Sequence, residues 1–158
     1  MNSALIKKKQ MSTYTQICYH LVFCTKSRRK TLIKNNRDKL FYYLIGFINA
    51  KKCFIYQING VEDHIHVLVE LNPTISLSAF VKDFKLAASH FIRNEKLFPD
   101  FNGWQKGYGA FTVSHKSISY VANYIANQEE HHRKKSSRDE FIGFLRENDI
   151  VFEDRYIE

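Results

Sequence analysis

The segment His64-Ile65-His66-Val67-Leu68-Val69-Glu70-Leu71 constrains the fold more than any other stretch of the chain. Apolar Ile65, Val67, Val69 and Leu71 alternate with His64, His66, Leu68 and Glu70. A period of two is that of a β-strand with one face in the core. Residues two apart on a strand lie about 6.8 Å apart at Cα and share a face, so both imidazoles can converge on one metal ion. Alone, His-x-His is a weak signal, because histidines are often plain surface or core groups.

The rest of the chain supplies partners for that strand. Ile17 to Phe23 alternates in the same way, with Cys18, His20 and Val22 on the face opposite Ile17, Tyr19, Leu21 and Phe23. Leu40, Leu44 and Ile48 mark a helix from about Arg37 to Lys51, and Cys53 to Ile58 reads as a strand ended by the turn pair Asn59-Gly60. Ser76 to about Leu97 is a long helix with Leu77, Phe80, Val81, Phe84, Ala88 and Phe91 on its buried stripe. Ala110 to Ser114 is a fourth strand and Ser117 to about Glu130 a third helix. Ser137-Arg138-Asp139-Glu140 has capping-box spacing for a last helix, and Val151 to Ile157 is a candidate short strand. The order β-α-β-β-α-β plus two helices predicts an α+β fold. It is a ferredoxin-like antiparallel sheet with helices on one face and C-terminal helices carrying Tyr124. The face bearing His64, His66 and His20 is then left open for chemistry. Residues 1–13 read as an N-terminal arm, and 14–158 as a single domain.

Composition narrows the partners. Twenty-four Lys and Arg against sixteen Asp and Glu give a net charge of +8. That excess attracts polyanions and puts nucleic acid first. Cys18, Cys24 and Cys53 form no Cys-x-x-Cys pair, so they read as buried apolar groups in a reducing cytoplasm. No apolar run reaches the roughly 20 residues of a membrane helix.

Tyr124 and Gln128 stand at i, i+4 on the third helix, beside the apolar stripe of Ile118, Val121 and Ile125. Taken alone, that is an ordinary helix with a half-buried tyrosine. With the histidines it makes a chemical set. Two imidazoles and one amide oxygen are neutral, so a bound divalent ion keeps its charge and can polarise a phosphodiester oxygen. A phenol with a reference pKa of about 10 needs a nearby cation or base to attack.

The run Gly60-Val61-Glu62-Asp63-His64-Ile65-His66-Val67-Leu68-Val69 resembles the metal-site strand of the HUH endonucleases, specifically the single-tyrosine transposases of small bacterial insertion sequences. Tyr19-His20-Leu21-Val22-Phe23, Trp104 through Phe111, and Val121 through Tyr124 and Gln128 to His132 match as well. The resemblance spans roughly Tyr14 to Tyr156, without departure at the four core positions. It implies His64, His66 and Gln128 as metal ligands, Tyr124 as nucleophile, and Mg²⁺ or Mn²⁺ as the ion. It further implies a single-stranded DNA substrate with hairpins, a 5′-phosphotyrosine intermediate with a free 3′-OH, and a homodimer in which the tyrosine helix covers the partner's sheet.

Other residues carry expectations of their own. Arg28, Arg29 and Lys30 in one loop and Arg133, Lys134 and Lys135 after the third helix are candidate phosphate contacts, as is His20, which equally suits support of the metal strand. His131 and His132 suit either a second metal pair or, as the preferred reading, phosphate contact beside that second run. Glu62 and Asp63 precede the histidine strand, where they suit tuning of a metal or a base, but the preferred reading is solvated turn carboxylates. Trp104 and Tyr108 suit either base stacking or the core. Three rival readings stand beside DNA transposition. A domesticated relative would act on chromosomal repeat hairpins, and a replication initiator or relaxase would share the histidine pair. A non-catalytic nucleic-acid-binding module on the same scaffold leaves the coincidence of His64, His66, Tyr124 and Gln128 without a reason.

Overall fold

In the computed structural model, which describes residues 13–157, the two alternating segments form the centre of the sheet. Strand β1 (Cys18–Cys24) pairs antiparallel with β3 (His64–Glu70), with Val22 opposite His66 and Cys24 opposite His64. Strand β2 (Phe54–Gly60) flanks β3 and β4 (Gly109–Val113) flanks β1, giving the order β2-β3-β1-β4. That is the α+β, ferredoxin-like arrangement expected. Gly60 stays in the strand rather than the turn. A Cβ there would sit 2.3 Å from the His64 carbonyl oxygen, so only glycine permits the tight β2–β3 crossing.

Two helices cover one face. Helix α1 (Lys34–Ala50) and helix α2 (Leu77–Asn94) bring Leu40, Leu44, Ile48, Phe80, Phe84 and Ala88 onto Leu21, Phe23, Ile65, Val67 and Val69. All of those side chains are buried, which makes this the main core. Ser76 caps α2, its Oγ accepting from the Ala79 amide. The three cysteines are buried and not joined by a disulfide. Trp104 packs edge-on to Phe101 at 5.2 Å beside this core, whereas Tyr108 stays exposed over the Lys85 ammonium.

The opposite face is not open. Helix α3 (Ile118–Ala126) seats Ile118 and Ile125 on Cys18, Leu68 and Val113. Helix α5 (Ser137–Glu147) seats Ile142 and Leu145 on Val22 and Phe111. The apolar members of the histidine-bearing face, Cys18, Val22 and Leu68, need this second layer. In the single chain the tyrosine helix covers its own sheet.

Three local expectations are corrected. The third helix breaks at Asn127, whose side-chain amide donates to the Asn123 carbonyl at 2.8 Å, and a short helix α4 (Gln128–His131) follows. The cap of α5 is Ser136, bonded to the Asp139 amide, because the Ser137 hydroxyl is used elsewhere. Val151 to Ile157 adds no strand. It carries a 3₁₀ turn at Asp154–Tyr156 and buries Ile157, whose carbonyl accepts from the Arg28 guanidinium at 3.1 Å. The arm expected over 1–13 lies outside the described residues except for Thr13. Among the described residues no helix is long and apolar enough to cross a membrane.

Candidate metal centre and adjoining cleft

Strand alternation points His64 and His66 away from the main core, and α3, α4 and α5 close over them. Both are buried, with 1% and 0% of their surface exposed. Four side chains meet there. Ligand atoms of His64, His66, His132 and Glu140 all lie within 4.8 Å of one another. Glu140 Oε2 is 2.6 Å from His132 Nε2, 3.4 Å from His64 Nε2 and 3.6 Å from His66 Nε2. Gln128, wholly buried, brings Oε1 to 3.3 Å from His64 Nε2.

The hydrogen bonds around the cluster decide which atoms face inward. Asp63 Oδ1 is 2.6 Å from His64 Nδ1, so that nitrogen carries the proton and Nε2 presents a lone pair. The Lys135 carbonyl, which only accepts, is 2.9 Å from His132 Nδ1 and fixes that ring in the same way. Gln128 donates through Nε2 to Glu140 Oε1 at 3.2 Å, turning its own Oε1 to the centre. Nε2 of His66 and of His132 are buried without a hydrogen bond of proper geometry. Acceptors thus face acceptors: two imidazole lone pairs, an amide oxygen and a carboxylate oxygen. That arrangement is repulsive unless protons or a cation stand between them. The donor set fits a divalent ion held by imidazole and oxygen.

Where no cation stands between these acceptors, a second proton on His64 does. Burial lowers the pKa of His66 to about 4 and, with the His64 charge, that of His132 to about 4. Burial also opposes charge on His64, but hydrogen bonds to Asp63 and Glu140 outweigh it and lift this ring to about 9. Burial would raise Glu140, yet the His64 and His66 rings facing it hold it down to about 2. One charged imidazole then does what a metal ion would do for the buried carboxylate.

Each core histidine has an outer support. Asp63 also accepts from the Ser137 hydroxyl at 2.7 Å, so a residue read as a solvated turn carboxylate is buried and wired to His64. His20 is 4% exposed, with Nε2 2.8 Å from His66 Nδ1 and rings stacked at 5.0 Å. It supports the metal strand and presents no surface to a phosphate.

Tyr124 adjoins the cluster. Its ring is 6.2 Å from that of His66, 4.8 Å from His131 and 5.9 Å from Phe144. Tyr120, Asn123, Tyr124, Asn127, Glu130, His131, Lys134 and Lys135 line a cleft of about 580 Å³. Arg133 lies outside it, exposed and paired with Glu130 at 3.0 Å. In the other basic loop Arg29 and Lys30 are exposed, but Arg28 is engaged, donating to Ser137 and lying 5.7 Å over the Phe141 ring. His132, read as a phosphate contact, instead enters the cluster together with Glu140, which sequence reasoning took for a capping residue.

Residues 13–128 match the family described as Transposase IS200 like. Over 129 residues the chain is 28% identical to the ISDra2 transposase TnpA of Deinococcus radiodurans, covering 78% of this chain and 91% of the relative. Over 119 residues it is 29% identical to the transposase for insertion sequence element IS200 of Salmonella typhimurium, covering 71% of this chain and 76% of the relative. A solved structure from Deinococcus radiodurans R1, given as a candidate transposase, superposes with a TM-score of 0.61 at 25% identity, covering 77% of this chain and 97% of its own. A REP-associated tyrosine transposase bound to a REP hairpin shares the fold, with a TM-score of 0.57 at 17% identity and coverage of 77% and 74%.

Proposed function

The chain belongs to the IS200-like transposase family, and from that premise we propose that it cleaves and rejoins single-stranded DNA with Tyr124 as nucleophile beside a divalent-metal site. The observation that carries this reading is the placement of Tyr124, packed against His66 at the cluster and open to a lysine-lined cleft. His64, His66 and Gln128 would hold the ion, Mg²⁺ or Mn²⁺. When bound, the ion withdraws charge from a non-bridging phosphate oxygen and so stabilises the five-coordinate phosphorus.

The chain's own residues do the rest. Lys134 and Lys135 draw the DNA backbone into the cleft and set a phosphate against the phenol. His131, edge-on to Tyr124, accepts the phenol proton. Tyr124 Oη forms a bond to phosphorus as the bond to the 3′-oxygen breaks, the departing 3′-oxygen takes a proton from water, and a 5′-phosphotyrosine remains with a free 3′-OH. A 3′-OH from another strand end reverses the step, releasing Tyr124. One phosphate ester replaces another, so no nucleotide cofactor is consumed. The cleft suits a flexible single strand. The fold shared with a protein that binds a REP hairpin supports hairpin-bearing DNA as substrate. A single domain over 14–158 and assembly as a homodimer belong to the same reading.

Incubation of the protein with end-labelled hairpin-bearing single-stranded DNA tests it. Cleavage is expected with Mn²⁺ or Mg²⁺ and none with EDTA or in the His64→Ala/His66→Ala double variant. Undiminished cleavage in EDTA or by that variant removes the metal from the reaction.

A further inference from the structure

We propose that His132 and Glu140 are metal ligands in addition to His64, His66 and Gln128, so that the C-terminal helix docks on the sheet as part of the metal centre. This rests on the metal site being the one described above. The family match ends at residue 128 and so contains His64, His66 and Gln128 but neither His132 nor Glu140. The last part of the chain therefore adds its own donors to the matched ones.

Geometry supports the assignment. With ligand bonds of about 2.0 to 2.3 Å, donor atoms around one ion lie about 2.8 to 4.6 Å apart. The four ligand atoms fall within 4.8 Å of one another, and Glu140 Oε2 faces all three Nε2 atoms. Shifts of a few tenths of an ångström would bring them onto a common centre. His132 Nε2 faces this carboxylate oxygen at 2.6 Å with a proton on the other ring nitrogen, a contact held by a second proton that an ion would replace as the two atoms part by a few tenths of an ångström.

Packing supports it independently. Glu140 is 3% exposed, and its Oε2 is turned inward onto the three imidazoles rather than to solvent. The first turn of α5 is also wired twice to one histidine. Ser137 reaches His64 Nδ1 through Asp63, and Glu140 faces His64 Nε2. One turn further on, Phe144 packs against His20, His66 and Tyr124. Metal loading, docking of α5 and the wall behind Tyr124 are thereby one event. His64, His66, Gln128, His132 and Glu140 would leave one position of an octahedron for a phosphate oxygen.

Calorimetric titration with MnCl₂ and amide hydrogen exchange across residues 137–147 test this together. In the unaltered protein Mn²⁺ should bind and slow exchange through α5. Pulsed EPR of the bound ion should detect three imidazole nitrogens. Glu140→Gln and His132→Gln should each weaken Mn²⁺ binding tenfold or more and abolish the metal-dependent slowing. Wild-type affinity and exchange in both variants, or an EPR signature of two imidazoles, would overturn the proposal. The EPR readout needs no variant, so a substitution that fails to fold does not leave the question open. The His64→Ala/His66→Ala variant separates the two levels. If it loses Mn²⁺ while Glu140→Gln and His132→Gln keep it, only the added ligands are wrong. If it binds Mn²⁺ as the wild type does, the underlying metal site is wrong.

Discussion

Asp63→Ala is the perturbation whose cost the structure sets most tightly. The carboxylate holds His64 Nδ1 at 2.6 Å and accepts from Ser137 at 2.7 Å, with the histidine side chain 1% exposed. Its removal leaves a buried ring N–H without a partner and frees the first turn of α5. An unpaired buried polar group costs about 1–3 kcal/mol, and breaking a buried charge pair reaches about 3–5 kcal/mol. Asp63 is partly reachable by water, so about 3 kcal/mol is expected for the metal-free protein. That lowers the melting temperature by about 6–12 °C at this chain length. Loss of the group that orients a metal-bound histidine weakens the metal by about 10- to 100-fold. Asp63→Asn keeps an oxygen for His64 and should cost less on both measures. Thermal unfolding in EDTA and calorimetric titration with Mn²⁺ check the two numbers. If Asp63→Ala melts and binds Mn²⁺ like the wild type, the residue is the solvated turn carboxylate that its sequence position suggests, and the supporting role is refuted.

Lys134→Ala/Lys135→Ala should weaken binding of hairpin-bearing single strands and flatten the logarithmic dependence of affinity on salt by about one unit, read by fluorescence anisotropy at several salt concentrations. An unchanged slope would place the DNA elsewhere. Glu129 bridges α4 to Lys34 and to the buried Arg37 of α1, and the Lys34 hydrogen bond and the two cations hold its carboxyl below the usual range. Its contribution is present above the ordinary carboxylate pKa and is lost as pH falls through the lowered value. Because Glu129 is 45% exposed, Glu129→Gln should cost about 1 kcal/mol or less in urea unfolding at pH 7, and the difference from wild type should vanish at low pH.

Much of the sheet was legible because its information is local. Alternation over His64 to Glu70 and Cys18 to Cys24 gives the strands, their buried face and the shared side of the histidines. The i, i+4 spacing put Gln128 and Tyr124 on one side of the chain, and the structure keeps both beside the cluster although the helix breaks at Asn127. Glu140 was not legible in its role, and for His132 and Asp63 the sequence left a metal role open beside the phosphate and solvated readings, because packing at long range decides between them. Ser137 meets Asp63 across 74 residues of chain, and no period encodes that meeting. Glu140 sits where a capping glutamate would sit, and Ser136 takes the cap instead. Closure of the histidine face by α3 and α5 follows from Cys18, Val22 and Leu68 being apolar beside His20 and His66. That was the signal in the sequence that this face would not stay open.

Intact-protein mass spectrometry after incubation with Mn²⁺ and hairpin-bearing single-stranded DNA tests the assignment of Tyr124 most directly. The wild type should gain the mass of the cleaved strand, and peptide sequencing should place the added 5′-phosphate on Tyr124. Tyr124→Phe removes only the hydroxyl from a ring packed among His20, His66, His131 and Phe144. It should keep the fold and the affinity for DNA and lose both the adduct and cleavage. An adduct that persists in Tyr124→Phe, or that maps to Tyr120 in the same cleft, would contradict it.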